Sequence, residues 1–149
     1  MQLTEHFSLE EMTHSQSAIR HGIENKPNPE QEKNLVALCT KVLEPLREQV
    51  GAIKIDSGFR STVVNSIIGG VSSSQHTKGE AADTIPFHYP LKDYYNLIKV
   101  LVSQGKLTVD QCIYEFDSWV HISYSQNNRN EFLIATKENG HTIYRKDII

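Results

Sequence analysis

Apolar residues recur at helical spacing over two long stretches of the chain. In the first, Leu35, Leu38, Cys39, Val42, Leu46 and Val50 fall on one stripe that faces a core. Asn28 ahead of it is a good N-cap, Pro29 suits the first helical position, and Gly51 closes the run. Pro45 lies inside the stripe without an amide hydrogen, which predicts a kink or break near Lys41 to Glu44. In the second stretch, Leu91, Tyr94, Tyr95, Ile98, Leu101 and Val102 form an inner face between Pro90 and a stop at Gly105. Two shorter helices are expected, one where Ser8 and Glu11 can form a capping box and one from Ser61 to Ile68, closed by Gly69-Gly70. Ser15 to Pro27 reads as a surface connection.

Period-two and β-branched runs mark the strands. Ala52 to Asp56 alternates apolar and polar, and Glu80 to Phe87 is rich in small or β-branched residues until Pro86 ends it. Gln111 to Phe116 and Trp119 to Tyr124 flank Asp117-Ser118, while Glu131 to Lys137 and His141 to Arg145 flank an Asn139-Gly140 turn. Helices first, with several antiparallel strands late, indicate an α+β fold. The 149 residues, 38% apolar and 22% charged, suit a single domain over 1–149, with no internal repeat.

Charge narrows the function classes. Fifteen Lys and Arg against eighteen Asp and Glu leave a net charge of -3, and no basic run offers a surface for nucleic acid. Cys39 and Cys112 have no paired spacing, so neither a disulfide framework nor a thiolate metal site is indicated, and both read as small buried apolar side chains. Met1 to His6 lacks the basic start and apolar core of a secretory signal, and no apolar run nears the ~18 residues of a membrane span. The expectation is a chain made in the cytoplasm, with no membrane partner, whose route to any other compartment is not a signal peptide.

Of the seven histidines, His6, His14, His21, His88 and His141 read as solvated. His76 differs: it stands in Ser74-Gln75-His76-Thr77-Lys78-Gly79-Glu80-Ala81-Ala82-Asp83, where a polar loop leads through a glycine and small residues to a carboxylate. His121 interrupts the apolar strand Trp119-Val120-His121-Ile122-Ser123; if Val120 and Ile122 face the core, His121 and Trp119 share the other face. Two imidazoles and one carboxylate make a three-ligand set for Zn²⁺ with a fourth position left open, the arrangement of hydrolytic sites.

Ser74-x-His76-x-x-Gly79-x-Ala81-x-Asp83 resembles the S-x-H-x-x-G-x-A-x-D signature of the D-Ala-D-Ala carboxypeptidase-like zinc peptidases, a group that includes phage endolysins. Ser57-Gly58-Phe59-Arg60-Ser61 is similar to their S-G-[FY]-R-S segment, Trp119-Val120-His121 to the stretch holding their last ligand, and His6 to Met12 to the N-terminal segment of their small one-domain members. The resemblance runs from about His6 to Ser125. It implies helices packed on a small antiparallel sheet, Hedgehog/DD-peptidase-like, with His76, Asp83 and His121 as zinc ligands. Arg60 would hold a substrate carboxylate or stabilise an oxyanion, with an ordinary surface salt bridge as the alternative. Ser74 would bind substrate or orient its loop, with a plain turn serine as the alternative.

The implied activity is hydrolysis of peptide bonds in peptidoglycan stem peptides, by a monomeric D,D-carboxypeptidase or an endolysin-type endopeptidase. Such a product would leave the cytoplasm by release to the cell wall or inside a virion. Two departures stand out. Many relatives carry Glu three residues before the last His, where this chain has Ser118, which keeps open a non-catalytic peptidoglycan-binding or virion structural module as the alternative function. Glu115 and Asp117 lie nearby as replacements for the general base: an odd-numbered hairpin loop would set Glu115 opposite His121, and a two-residue Asp117-Ser118 loop would set Tyr114 there. The second departure is Thr84, where relatives often have an aliphatic residue, a change expected to affect packing more than chemistry.

Overall fold

Capping organises the first third of the chain. A computed structural model describes residues 1–148. Ser8 precedes α1 (Leu9–Thr13) in a reciprocal capping box: its Oγ accepts from the Glu11 N–H at 3.1 Å, and the Glu11 carboxylate accepts from the Ser8 N–H at 3.4 Å. Ser15 caps α2 (Gln16–His21), a helix inside the stretch expected to be only a surface connection. With Ala18 as its one buried residue, α2 has too little apolar periodicity to be read from sequence.

Asn28 and Gln31 form a second capping box at the start of α3 (Pro29–Leu38), with Pro29 in the first turn. The stripe continues through a π-helical turn (Cys39–Leu43) into α4 (Glu44–Val50), and the Glu44 N–H donates to the Cys39 carbonyl five residues back. The break expected near Lys41 to Glu44 is therefore a widened turn. Pro45 cannot donate and its ring crowds the carbonyl four residues back, so the ladder shifts register just ahead of it. The apolar stripe survives, and Leu35, Leu38, Cys39, Val42, Leu46 and Val50 are all buried.

Six strands, β1 (Ile53–Ser57), β2 (Ala81–Pro86), β3 (Gln111–Glu115), β4 (Trp119–Ser123), β5 (Glu131–Glu138) and β6 (His141–Asp147), form one sheet in the order β1-β2-β4-β3-β5-β6. The fold is α+β, as expected, but the sheet is not wholly antiparallel. β3 and β5 run parallel because the chain leaving β4 crosses back to the start of β3, where Asn130 and Glu131 donate to the Val109 and Asp110 carbonyls. Between strands lie α5 (Thr62–Ile67), capped by Ser61, and α6 (Leu91–Ser103). Asn139 and Gly140, at φ 52 and 77, make the two-residue turn between β5 and β6.

One face of the sheet builds the core. Cys112, Tyr114, Val120, Ile122 and Phe132 join Tyr94, Tyr95 and Ile98 of α6 and the α3–α4 stripe in a single apolar cluster that reaches Phe7 and Met12. Both cysteines are free and buried, as expected, and burial first pushes the Cys39 thiol up to about 12. Among the described residues no helix is long and apolar enough to cross a membrane. Asp83, Glu115, Trp119 and His121 lie on the sheet's other face.

Thr84 faces the core, and its departure from an aliphatic residue is a packing device. Its hydroxyl donates to the Val120 carbonyl at 2.9 Å and meets the Tyr94 hydroxyl at 2.8 Å, tying β2 and α6 together. Thr84→Val should cost about 1–3 kcal/mol because the buried Tyr94 hydroxyl loses its partner. Urea unfolding measures this, and an unchanged midpoint would show that the hydroxyl pair adds nothing.

Candidate active site

Two glycines let three segments meet at His76. Gly58, after β1, sits so close to α1 that a Cβ would run into the Met12 carbonyl, and the next residue, Phe59, donates its N–H to that carbonyl at 2.7 Å. The Gly58 carbonyl is thereby aimed at His76, whose Nδ1 donates to it at 2.7 Å. Gly79 ends the 3-10 turn Gln75–Lys78 in a left-handed conformation at φ 75, and a Cβ there would strike the Gln31 carbonyl of α3. Ser74 caps this turn by accepting from the His76 N–H at 3.2 Å, and the Arg60 N–H donates to the His76 carbonyl at 3.1 Å. His76 is bonded on its ring, its amide and its carbonyl, with 3% of its surface exposed.

Asp83 and His121 face each other as a cross-strand pair of β2 and β4. His121 and Trp119 share the sheet face away from Val120 and Ile122, as the alternation predicts. His76 Nε2 lies 3.3 Å from His121 Nδ1 and 3.4 Å from Asp83 Oδ1, and His121 Nδ1 lies 3.0 Å from Asp83 Oδ1. These three atoms could hold a metal ion. Their chemistry fits: the bond from His76 Nδ1 to Gly58 fixes the tautomer that leaves the Nε2 lone pair free, the outer bond that metal-binding histidines usually make.

The electrostatics favour a cation at the same point. Burial opposes ionisation of Asp83, but the neighbouring imidazoles of His76 and His121 outweigh it and hold the carboxyl well below its ordinary range. Burial pushes His76 down, towards the neutral form a metal requires, against the pull of Asp83. For His121 burial acts in the same direction but is outweighed by Asp83, its hydrogen bond foremost, so its pKa is raised. An anionic Asp83 beside two imidazoles draws positive charge to this point, and His121 must give up its proton to act as a ligand.

The hairpin places the two acidic neighbours differently. Three residues, Phe116 to Ser118, join Glu115 to its partner Trp119, so Ile113 stands directly opposite His121. The odd-numbered loop expected to favour Glu115 is present, but Glu115 lies one pair along on the same face, with Oε1 3.7 Å from His121 Nδ1. Burial, with repulsion from Asp83, raises its pKa against the opposing charges of His121 and Arg60. Asp117 sits in the turn at φ 53 and interacts with Tyr114 on the core-facing side. Ser118, where relatives carry Glu, donates its hydroxyl to the Phe116 carbonyl at 3.0 Å and only shapes the turn.

Arg60 and Ser74 open onto the same groove, of about 1510 Å³, as His76, Asp83, Glu115 and His121. Arg60 Nη2 donates to Ser74 Oγ at 3.3 Å. Burial lowers the arginine's pKa, offset by the negative charges of Asp83 and Glu115. Among the described residues, Arg60 Nε and Trp119 Nε1 are buried donors with no acceptor within hydrogen-bond distance, and Trp119 lies beside Glu115, its cross-strand partner. The remaining histidines are exposed, and His6 also bonds Glu44 at 2.7 Å through Nδ1.

Several residues of the site escaped sequence reasoning. One is Trp119: strand alternation predicts its face, but nothing local marks it as the neighbour of Glu115. Asp110 is a buried carboxylate that receives Gln75 Nε2 at 2.9 Å and Arg129 through Nε and Nη2 at 2.8 and 3.0 Å, bracing the His76 loop against the segment after β4. Its partners lie 35 and 19 residues away, beyond any local pattern.

The family model for Peptidase M15 matches residues 5–123, well over half the chain. The chain therefore belongs to the Peptidase M15 family, and its activity class is that of a peptidase. Among curated proteins no match is found. The matched span includes the candidate site residues Arg60, Ser74, His76, Asp83, Glu115, Asp117 and His121.

The Asp110 brace has a pH signature. Hydrogen bonding from Arg129 leads the causes that lower the Asp110 pKa, so the stabilisation is complete above the unfolded carboxyl value, about 3.9, and is lost as pH falls through the lower folded value. Asp110→Asn should cost about 1–3 kcal/mol at pH 7, with the deficit shrinking below about pH 4. Urea titrations at pH 7 and pH 3 test this; an equal deficit at both would mean that the carboxylate charge is not what matters.

Proposed function

We propose that the chain is a zinc-dependent peptidase that hydrolyses a peptide bond in peptidoglycan stem peptides, as a D,D-carboxypeptidase or an endolysin-type endopeptidase. The observation that carries this reading is the convergence of His76 Nε2, Asp83 Oδ1 and His121 Nδ1 within 3.4 Å of one another, with Glu115 alongside, in a member of a peptidase family. When bound, zinc supplies Lewis acidity, lowering the pKa of a water towards neutrality and drawing charge from a carbonyl oxygen.

The protein's own groups do the rest. Glu115, with its raised pKa, takes a proton from the attacking water and returns it to the leaving amine nitrogen, the two transfers a general acid–base must make near neutral pH. Arg60 pairs with the substrate carboxylate or with the oxyanion that develops on the carbonyl, for which a planar, permanently charged guanidinium is suited. Ser74 holds that guanidinium in place from the side. The peptide is the partner on this reading, with no nucleic acid or membrane involved, and the enzyme acts as a monomer. Access to the cell wall would come through release from the cell or carriage in a virion.

Glu115 also bears on the alternative of a non-catalytic binding module, whose support was the missing glutamate at Ser118. Glu115, on the neighbouring strand with Oε1 3.7 Å from His121 Nδ1, supports the catalytic reading over the module. Incubation of the zinc-loaded protein with purified peptidoglycan, followed by mass spectrometry, should detect free D-alanine or cut stem peptides. Binding without any cut product would favour the module.

Metal content and activity should separate by residue. His76→Ala and His121→Ala should lose zinc, whereas Glu115→Gln should keep it while kcat falls by about 10²- to 10⁴-fold. Arg60→Lys should also keep zinc, with kcat/KM down by roughly 10²-fold, and Asp117→Asn should be mild. Full zinc stoichiometry in both histidine variants would refute the ligand assignment, and near-normal turnover by Glu115→Gln would place the base elsewhere.

A further inference from the structure

The groove continues well past the cluster. Strand pairing aligns Asp83, His121, Ile113 and Leu133 across β2, β4, β3 and β5, and one pair along aligns Trp119, Glu115, Ala135 and Tyr144 across β4, β3, β5 and β6. Paired residues share a face, so both rows floor the same groove, and Ile113, Leu133, Thr142 and Tyr144 line it. Three strand spacings separate β4 from β6, roughly 14 Å, the length of about four residues of extended peptide. β5 and β6 lie outside the span 5–123 that matches the family model.

Tyr144 stands out on this floor. The residue is 54% exposed, and the strand position between it and Glu115 is Ala135, whose small side chain is itself buried. Tyr144 lines the same groove as Asp83, Glu115 and His121, and burial and then the negative charges of Glu115 and Asp83 push its hydroxyl pKa up. Arg60 follows β1, at the opposite edge of the sheet. The groove thus has a cationic end at Arg60, an aromatic and apolar end at Leu133 and Tyr144, and the His76, Asp83 and His121 cluster between them.

We propose that Tyr144 is a specificity-determining residue which contacts a substrate extending several residues from the scissile bond across β3 and β5, so that elongated peptides and not free dipeptides are the substrate class. This rests on the peptidase reading above. A dipeptide spans only the cluster and the Arg60 end, whereas a stem pentapeptide is long enough to reach β6.

The test measures binding and hydrolysis of a stem pentapeptide ending in D-Ala-D-Ala, and of free D-Ala-D-Ala, by the zinc-loaded wild type, Tyr144→Ala and Tyr144→Phe. For the pentapeptide, Tyr144→Ala should weaken binding and raise KM about tenfold with kcat little changed, and Tyr144→Phe, which keeps the ring, should stay within about threefold. Wild-type kcat/KM should be far higher for the pentapeptide than for the dipeptide. Unchanged pentapeptide binding and KM in Tyr144→Ala, or equal wild-type preference for the two peptides, would overturn the proposal. Pentapeptide binding that depends on Tyr144 with no hydrolysis would uphold the subsite and defeat the peptidase reading; absence of both binding and hydrolysis would defeat both.

Discussion

The hydrogen bond from His76 Nδ1 to the Gly58 carbonyl is the constraint on which the site depends. It selects the imidazole tautomer and aims Nε2 at Asp83 and His121. That carbonyl is in place only because Gly58 has no side chain to strike α1, and α1 in turn is held by its capping box and by the burial of Met12. A short N-terminal helix is thus coupled, through one backbone contact, to the placement of His76 Nε2. Gly79 plays the matching part on the other side, letting the His76 turn press against α3.

The sheet supplies what the loop cannot. Asp83 and His121 are fixed by strand register, and a shift of one residue would turn both into the core. Rigid strands carry two of the three converging atoms and Glu115, while the third comes from a loop tied down at His76 and braced through Gln75 to Asp110. Functional groups on packed strands hold their positions more closely than groups on free loops. The sheet's two faces divide the labour: Thr84 and its neighbours anchor α6 on one side, and the alternate residues of the same strands line the groove on the other.

Local patterns made much of this legible. The α3 and α6 stripes, the capping residues Ser8, Asn28 and Ser61, and the Asn139-Gly140 turn are all written within a few residues of one another, and each is where the spacing put it. His76, Asp83 and His121 could be singled out because a loop, a glycine and an interrupted strand gave them unusual contexts. What stayed hidden depends on distant contacts or on one-residue choices. The parallel pairing of β3 with β5 is set by where residues after β4 dock, α2 buries only Ala18, and the Asp110 brace joins three separate segments. The hairpin register turned on whether its loop had two residues or three, which the composition of Asp117-Ser118 could not decide.

On the proposed function, three atoms prepared by backbone contacts, His76 Nε2, Asp83 Oδ1 and His121 Nδ1, hold a single zinc ion. Anomalous diffraction at the zinc absorption edge from crystals of the zinc-loaded protein tests it most directly. One peak within about 2.0–2.2 Å of His76 Nε2, an Asp83 carboxylate oxygen and His121 Nδ1 is the predicted result, with His76 Nδ1 still bonded to Gly58. Zinc bound through His76 Nδ1, or at a position that excludes Asp83 or His121, would contradict the account.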